Sequence, residues 1–150
     1  MLIATGLFLI LLVTALAFYL NHSGVPRSVW VLSFGAFGLR VCYVILDTIF
    51  GVYAGGGDQS GYDATLWFVA QQWRSGVLLA PLNIGVGPDY GGDYMLVYSS
   101  VFSPAYAIFG HVITIPRLQM ALIGTLVVIN VYCIGRILSG HRAGFAAGLI

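Results

Sequence analysis

Lysine and glutamate are absent from this 150-residue chain, and charged residues make up only 7% of it. Soluble domains carry roughly 25% charged residues, so this scarcity excludes an ordinary water-facing surface. The charge that exists is six arginines against five aspartates, a formal +1. That balance provides no basic surface for nucleic acid and no charge run of the kind that marks a disordered tail. A chain without lysine also lacks a Walker-type phosphate loop, and no GxGxxG is present. Only two cysteines occur, Cys42 and Cys133, far apart in apolar segments with no CxxC or Cys/His spacing. They read as small residues packed between helices rather than as ligands or redox partners. Asp89 and Asp93 form an Asp-x-x-x-Asp pair too sparse for a calcium or magnesium cage. No metal or other cofactor is expected.

What is present is apolar. Hydrophobic residues reach 59% and the mean hydropathy is +0.95. Residues 2–20, "LIATGLFLILLVTALAFYL", are uncharged and long enough to cross roughly 30 Å of hydrocarbon at about 1.5 Å per residue. A signal peptide is the rival reading, since Ala15-Leu16-Ala17 resembles a cleavage site. No positive segment precedes the run, however, and a second apolar stretch follows at once. Further spans are predicted at about 29–52, 95–110, 118–137 and 143–150, with an extramembrane loop over about 53–94. The run at 95–110 is short and contains Pro104, which predicts a kink or tilt. The expected fold is all-α, a polytopic transmembrane bundle. Because the sequence stops within an apolar segment, it reads as the N-terminal part of one longer membrane domain. With spans alternating, Arg27 and Arg117 fall on one face and Arg74, Arg136 and Arg142 on the other. The positive-inside rule then does not choose an orientation.

Two charges lie inside the second span. A charged side chain at mid-membrane costs about 2.5–3.5 kcal/mol on insertion scales, so Arg40 and Asp47 need partners. They are seven residues apart, roughly 10 Å along one helix face. Mutual or interhelical pairing is one reading and an ion or proton pathway the other. Farther along, Gly140, Gly144 and Gly148 recur every four residues, predicting close helix packing.

The loop opens with "GGGDQSGYDATLWFVAQQWRSG", residues 55–76. The glycines free the chain to turn. Tyr62, Leu66, Val69, Ala70 and Trp73 then recur at three- and four-residue steps, an amphipathic stripe. Trp67 and Trp73 suit the headgroup layer, so 61–75 is expected to lie flat at the membrane interface. Ser60-Gly61-Tyr62-Asp63 has the form of a capping box, which assigns Asp63 to the helix start. Asp58 precedes that cap and no local helix group claims it. Arg74 either reaches a headgroup phosphate or stays on a solvated helix face. Asp89, Tyr90, Asp93 and Tyr94 flank the Gly91-Gly92 turn, either as a plain loop or with tyrosines stacking on a sugar.

Three stretches in this order, "GDQSGYDATLWFVAQQWRSG", "YMLVYSSVFSPAYAIFG" and "IPRLQMALIGTLVVINVYCIGRILSGHRAG", resemble the N-terminal part of the GT-C class of membrane glycosyltransferases. The similarity is to its dolichyl-phosphate-mannose-protein mannosyltransferase and aminoarabinose-transferase branch, over about residues 53–150. It rests on an acid followed by a tyrosine at the start of a juxtamembrane helix, and on Arg117, Ala121, Leu122 and Gly124 opening a later one. Tyr132, Gly135, Arg136, Leu138 and Gly140 close that helix. Asp58-Gln59 stands where the family often has Asp-Glu. The resemblance implies a multi-pass protein of a bacterial or archaeal cell membrane, with a polyprenyl-phosphate-linked sugar as donor and a non-cytoplasmic first loop. It implies Asp58 as the catalytic acid. Tyr62, Arg74, Asp89, Asp93 and Tyr94 are the candidate substrate-binding residues, and membrane lipid and the lipid-linked sugar the expected partners. A secondary transporter or channel component, resting on Arg40 and Asp47, and a non-enzymatic assembly protein, resting on the glycines, are the alternatives.

Overall fold

A computed structural model describes residues 2–51, 57–77 and 93–149. Among the described residues six helices follow one another: α1 Leu2–His22, α2 Arg27–Phe50, α3 Gly57–Arg74, α4 Asp93–Phe109, α5 Thr114–Ser139 and α6 His141–Leu149. There is no strand among the described residues. Three helices among the described residues, α1, α2 and α5, are long and apolar enough to cross a membrane; α4 is a shorter apolar helix.

The apolar residues divide into two populations. Phe8, Leu12, Leu16 and Leu20 recur every four residues along α1 and are buried, as are Phe37, Val41 and Val44 of α2 and Leu118, Ala121 and Ile129 of α5. Leu7, Ile10, Leu11, Val31, Leu39, Ile49, Ile134 and Ile137 lie on the outer faces and are exposed. Such a continuous apolar exterior far exceeds the patches that soluble monomers tolerate. With the three span-length helices, it marks a membrane protein. Polar side chains in these helices satisfy themselves locally. Thr14, Ser33, Thr48 and Thr125 each donate to the carbonyl four residues back, at 2.7–2.9 Å. That is the accommodation a hydroxyl needs where no water is present.

Helix ends are set by glycine. Gly51 adopts a left-handed φ of 62° and returns its N–H to the Asp47 carbonyl at 2.8 Å, which stops α2 one turn after Asp47. Gly140, expected on the packing stripe, instead makes the turn between α5 and α6 with φ 87°. The packing role belongs to Gly144 and Gly148, opposed by Gly135. A Cβ on Gly144 would stand 2.6 Å from the Tyr132 carbonyl oxygen and 2.7 Å from the Arg136 nitrogen. Those are backbone atoms and cannot rotate aside. Gly144→Val should therefore separate α6 from α5 and cost at least about 1–3 kcal/mol, read as a lower unfolding temperature in detergent. Gly6→Val, where nothing lies within 4 Å of the new Cβ, should leave that temperature within a degree or two.

α3 and α4 pack on each other at the end of the bundle where α2 finishes. Arg74, the last residue of α3, donates to the Ala107 carbonyl near the end of α4 at 2.8 Å. α4 returns the chain to α5 beside the end of α2, so Arg117 sits against Asp47. This departs from strict alternation of charges between two faces. Arg117 joins Arg74 at the α3 end, whereas Arg27, Arg136 and Arg142 lie at the other.

Candidate functional site

The site is built where α2, α3, α4 and α5 converge. They enclose a cavity of about 400 Å³ lined by Arg40, Tyr43, Val44 and Asp47 of α2, Tyr62, Asp63 and Leu66 of α3, and Tyr98 of α4. Ile113 and, from α5, Pro116, Arg117, Met120 and Ala121 complete it. Apolar walls thus surround two cations, two carboxylates and three phenols, the mix of apolar lining and a few placed polar groups found in small-molecule pockets.

The two charges of α2 are not partners of each other. Asp47, only 8% exposed, is ion-paired with Arg117 of α5. This is the interhelical form of the pairing expected from sequence, and it fastens α2 to α5. Arg40 takes a different course. Its guanidinium donates to the Ala36 carbonyl at 3.1 Å and lies against Gly124, where an added Cβ would come within 3.0 Å of Nε. Gly124 leaves room for that side chain to reach the cavity. Among the described residues no carboxylate pairs with Arg40. A cation in a span-length helix facing a cavity, with no carboxylate partner among the described residues, is a candidate for a functional group.

α3 differs at its start from the capping box expected. The helix begins at Gly57, three residues before Ser60, so Ser60 and Asp63 lie within it and not at its threshold. Released from a capping role, the Asp63 carboxylate makes tertiary contacts. It accepts a hydrogen bond from the Tyr106 hydroxyl of α4 and pairs with His111 Nε2 at 2.7 Å. Trp67 stacks on His111, with ring centroids 4.9 Å apart and planes inclined by 19°. One carboxylate thereby ties α3, α4 and the α4–α5 turn together at the cavity edge. Tyr62 also lines the cavity and its ring lies 5.4 Å from that of Tyr98.

Arg74 is engaged by protein: besides Ala107 it reaches the Tyr106 carbonyl at 3.5 Å and lies 5.4 Å over the Trp67 ring. It caps the carbonyl end of α4 while remaining exposed, as on the solvated face that is one reading from sequence. Asp58 falls in the first turn of α3, one helical turn ahead of Tyr62. Its side chain, those of Asp93 and Tyr94, and the whole of Asp89 lie outside the described residues.

Sequence reasoning missed Arg117, His111 and Tyr106 as members of this region. Arg117 carried a usable signal, a cation at the start of one span facing an aspartate at the end of another. His111 and Tyr106 carried none, because their role depends on how α4 crosses α3. Comparison with protein-family models, with curated proteins and with solved structures returns no match to this chain.

Proposed function

We propose that this chain forms the donor site of a membrane glycosyltransferase that moves a sugar from a polyprenyl-phosphate carrier to an acceptor hydroxyl. The observation that carries the reading is the cavity wall bearing Arg40, a cation with no carboxylate partner among the described residues, across from Tyr62, Tyr98 and Asp63. The resemblance of residues 53–150 to GT-C enzymes supports the same reading from the sequence side. α1, α2 and α5 cross the membrane, α3 lies at the interface, and the polyprenyl chain runs along the apolar faces beside the cavity.

The chemistry follows from these groups. Asp58, as carboxylate, takes the proton of the acceptor hydroxyl. The freed oxygen forms a bond to the anomeric carbon from the side opposite the carrier. The bond from that carbon to the phosphate oxygen breaks, and its electron pair leaves with polyprenyl phosphate. The phosphate thus goes from diester monoanion toward monoester dianion. Arg40 stabilises that gain of negative charge. One displacement inverts the anomeric configuration. The test is transfer of radiolabelled sugar from a polyprenyl-phosphate donor by the intact protein: labelled product of inverted configuration supports the reading, and retention of configuration contradicts it.

The same reading places α3 on the non-cytoplasmic side. The warrant is the resemblance to GT-C enzymes, because three arginines at the opposite end, Arg27, Arg136 and Arg142, against Arg74 and Arg117 at the α3 end do not choose an orientation by charge. Ser60→Cys, in a background lacking Cys42 and Cys133, should react with a membrane-impermeant maleimide in cells whose inner membrane is sealed. Reaction only after that membrane is opened reverses the orientation.

A further inference from the structure

The end of the bundle remote from α3 carries a second concavity, of about 270 Å³, lined by Gly24 and Pro26 of the α1–α2 turn, Arg136 of α5 and His141 of α6. Arg136 and His141 are both exposed. The imidazole is fixed from below: the buried Tyr132 places its hydroxyl 2.8 Å from His141 Nδ1. With the hydroxyl donating to Nδ1, the ring proton sits on Nε2, a donor available to an anion. Arg27 opens α2 and Arg142 follows His141, so both stand at this same end. Among the described residues the charge at this end is of one sign. All five aspartates fall between residues 47 and 93. The ion pairs among the described residues, Asp47 with Arg117 and Asp63 with His111, both lie at the α3 end.

We infer that Arg136 and His141 form a binding site for the phosphate of an anionic phospholipid headgroup. A lipid is the occupant that fits, because the concavity lies at the ends of three helices long enough to span a membrane, the level at which headgroups sit. Arg136 supplies the charge and a forked donor set, His141 a second donor, and Arg27 and Arg142 the surrounding positive potential. A basic side chain beside an anionic membrane surface strengthens binding about fivefold. This site is independent of the sugar-transfer reading and survives its failure.

The experiment uses the intact protein in nanodiscs of phosphatidylcholine containing phosphatidylglycerol, with bound lipids counted by native mass spectrometry. The wild-type protein should retain phosphatidylglycerol in preference to phosphatidylcholine. Arg136→Gln should lower that preference about fivefold, and Arg136→Lys should keep most of it. Arg142→Gln, at an exposed position, should lower it less. Raising the salt concentration should weaken the wild-type preference, a measurement that needs no variant to fold. Equal retention of the two lipids by the wild type, or an unchanged preference in folded Arg136→Gln, would overturn the assignment.

Discussion

Asp58→Asn in the intact protein should lower sugar transfer by roughly 10²–10⁴-fold while leaving folding and donor binding largely unchanged. Asparagine keeps the size and much of the hydrogen bonding of aspartate but cannot take the acceptor's proton. The informative contrast is Asp63→Asn. Asp63 accepts from Tyr106 and pairs with His111, so its substitution weakens charged hydrogen bonds that join α3 to α4 and to the α4–α5 turn. Such bonds contribute about 1.5–3 kcal/mol each, and the loss should be visible as a lower unfolding temperature. Turnover per folded molecule should change far less than in Asp58→Asn. Normal turnover by Asp58→Asn, with a folded but inactive Asp63→Asn, would transfer the base to Asp63. The cavity wall and the His111 contact would then be its setting.

Arg40→Gln should lower turnover by roughly 10²–10³-fold, the usual effect of removing one preorganised group that stabilises developing negative charge. The loss should fall mainly on kcat, because the phosphate gains its second charge only as the bond to the sugar breaks. Stability should move the other way or not at all. Arg40 has no carboxylate partner among the described residues, and an intramembrane cation held without one is a cost to folding. Arg117→Gln is the opposite case. It removes the ion-pair partner of the buried Asp47 carboxylate and should destabilise the protein, by up to about 3–5 kcal/mol. A fall in stability for Arg40→Gln similar to that for Arg117→Gln would make Arg40 a structural residue.

How much of this was legible in the chain depended on the range of the interaction. The helices follow from local pattern: four-residue spacing of Phe8, Leu12, Leu16 and Leu20, or glycine at position 51, needs no knowledge of neighbours. The need of Asp47 for a partner was equally plain, since the cost of burying a charge is set by the residue and its surroundings. Which cation would meet it was not, because Arg117 is 70 residues away and reaches Asp47 only through the path of α4. Asp63 shows the limit most clearly. A local capping signal competed with a tertiary one, and α3 began a turn early at Gly57, freeing the carboxylate for Tyr106 and His111. The glycine stripe divided for a similar reason. Gly144 and Gly148 obey the four-residue rule, while Gly140 is taken by the turn that brings α6 back onto α5.

The central claim is that the cavity between α2 and α5 holds the lipid-linked sugar. Photo-crosslinking tests it most directly, with benzoylphenylalanine placed at Tyr43, which lines the cavity, and at Val127, exposed on the outer face of α5. A radiolabelled polyprenyl-phosphate sugar should label the intact protein from position 43 and be displaced by unlabelled donor, with little labelling from position 127. Equal, non-displaceable labelling from both positions would mean that the donor meets this protein only as bulk lipid, and would contradict the account.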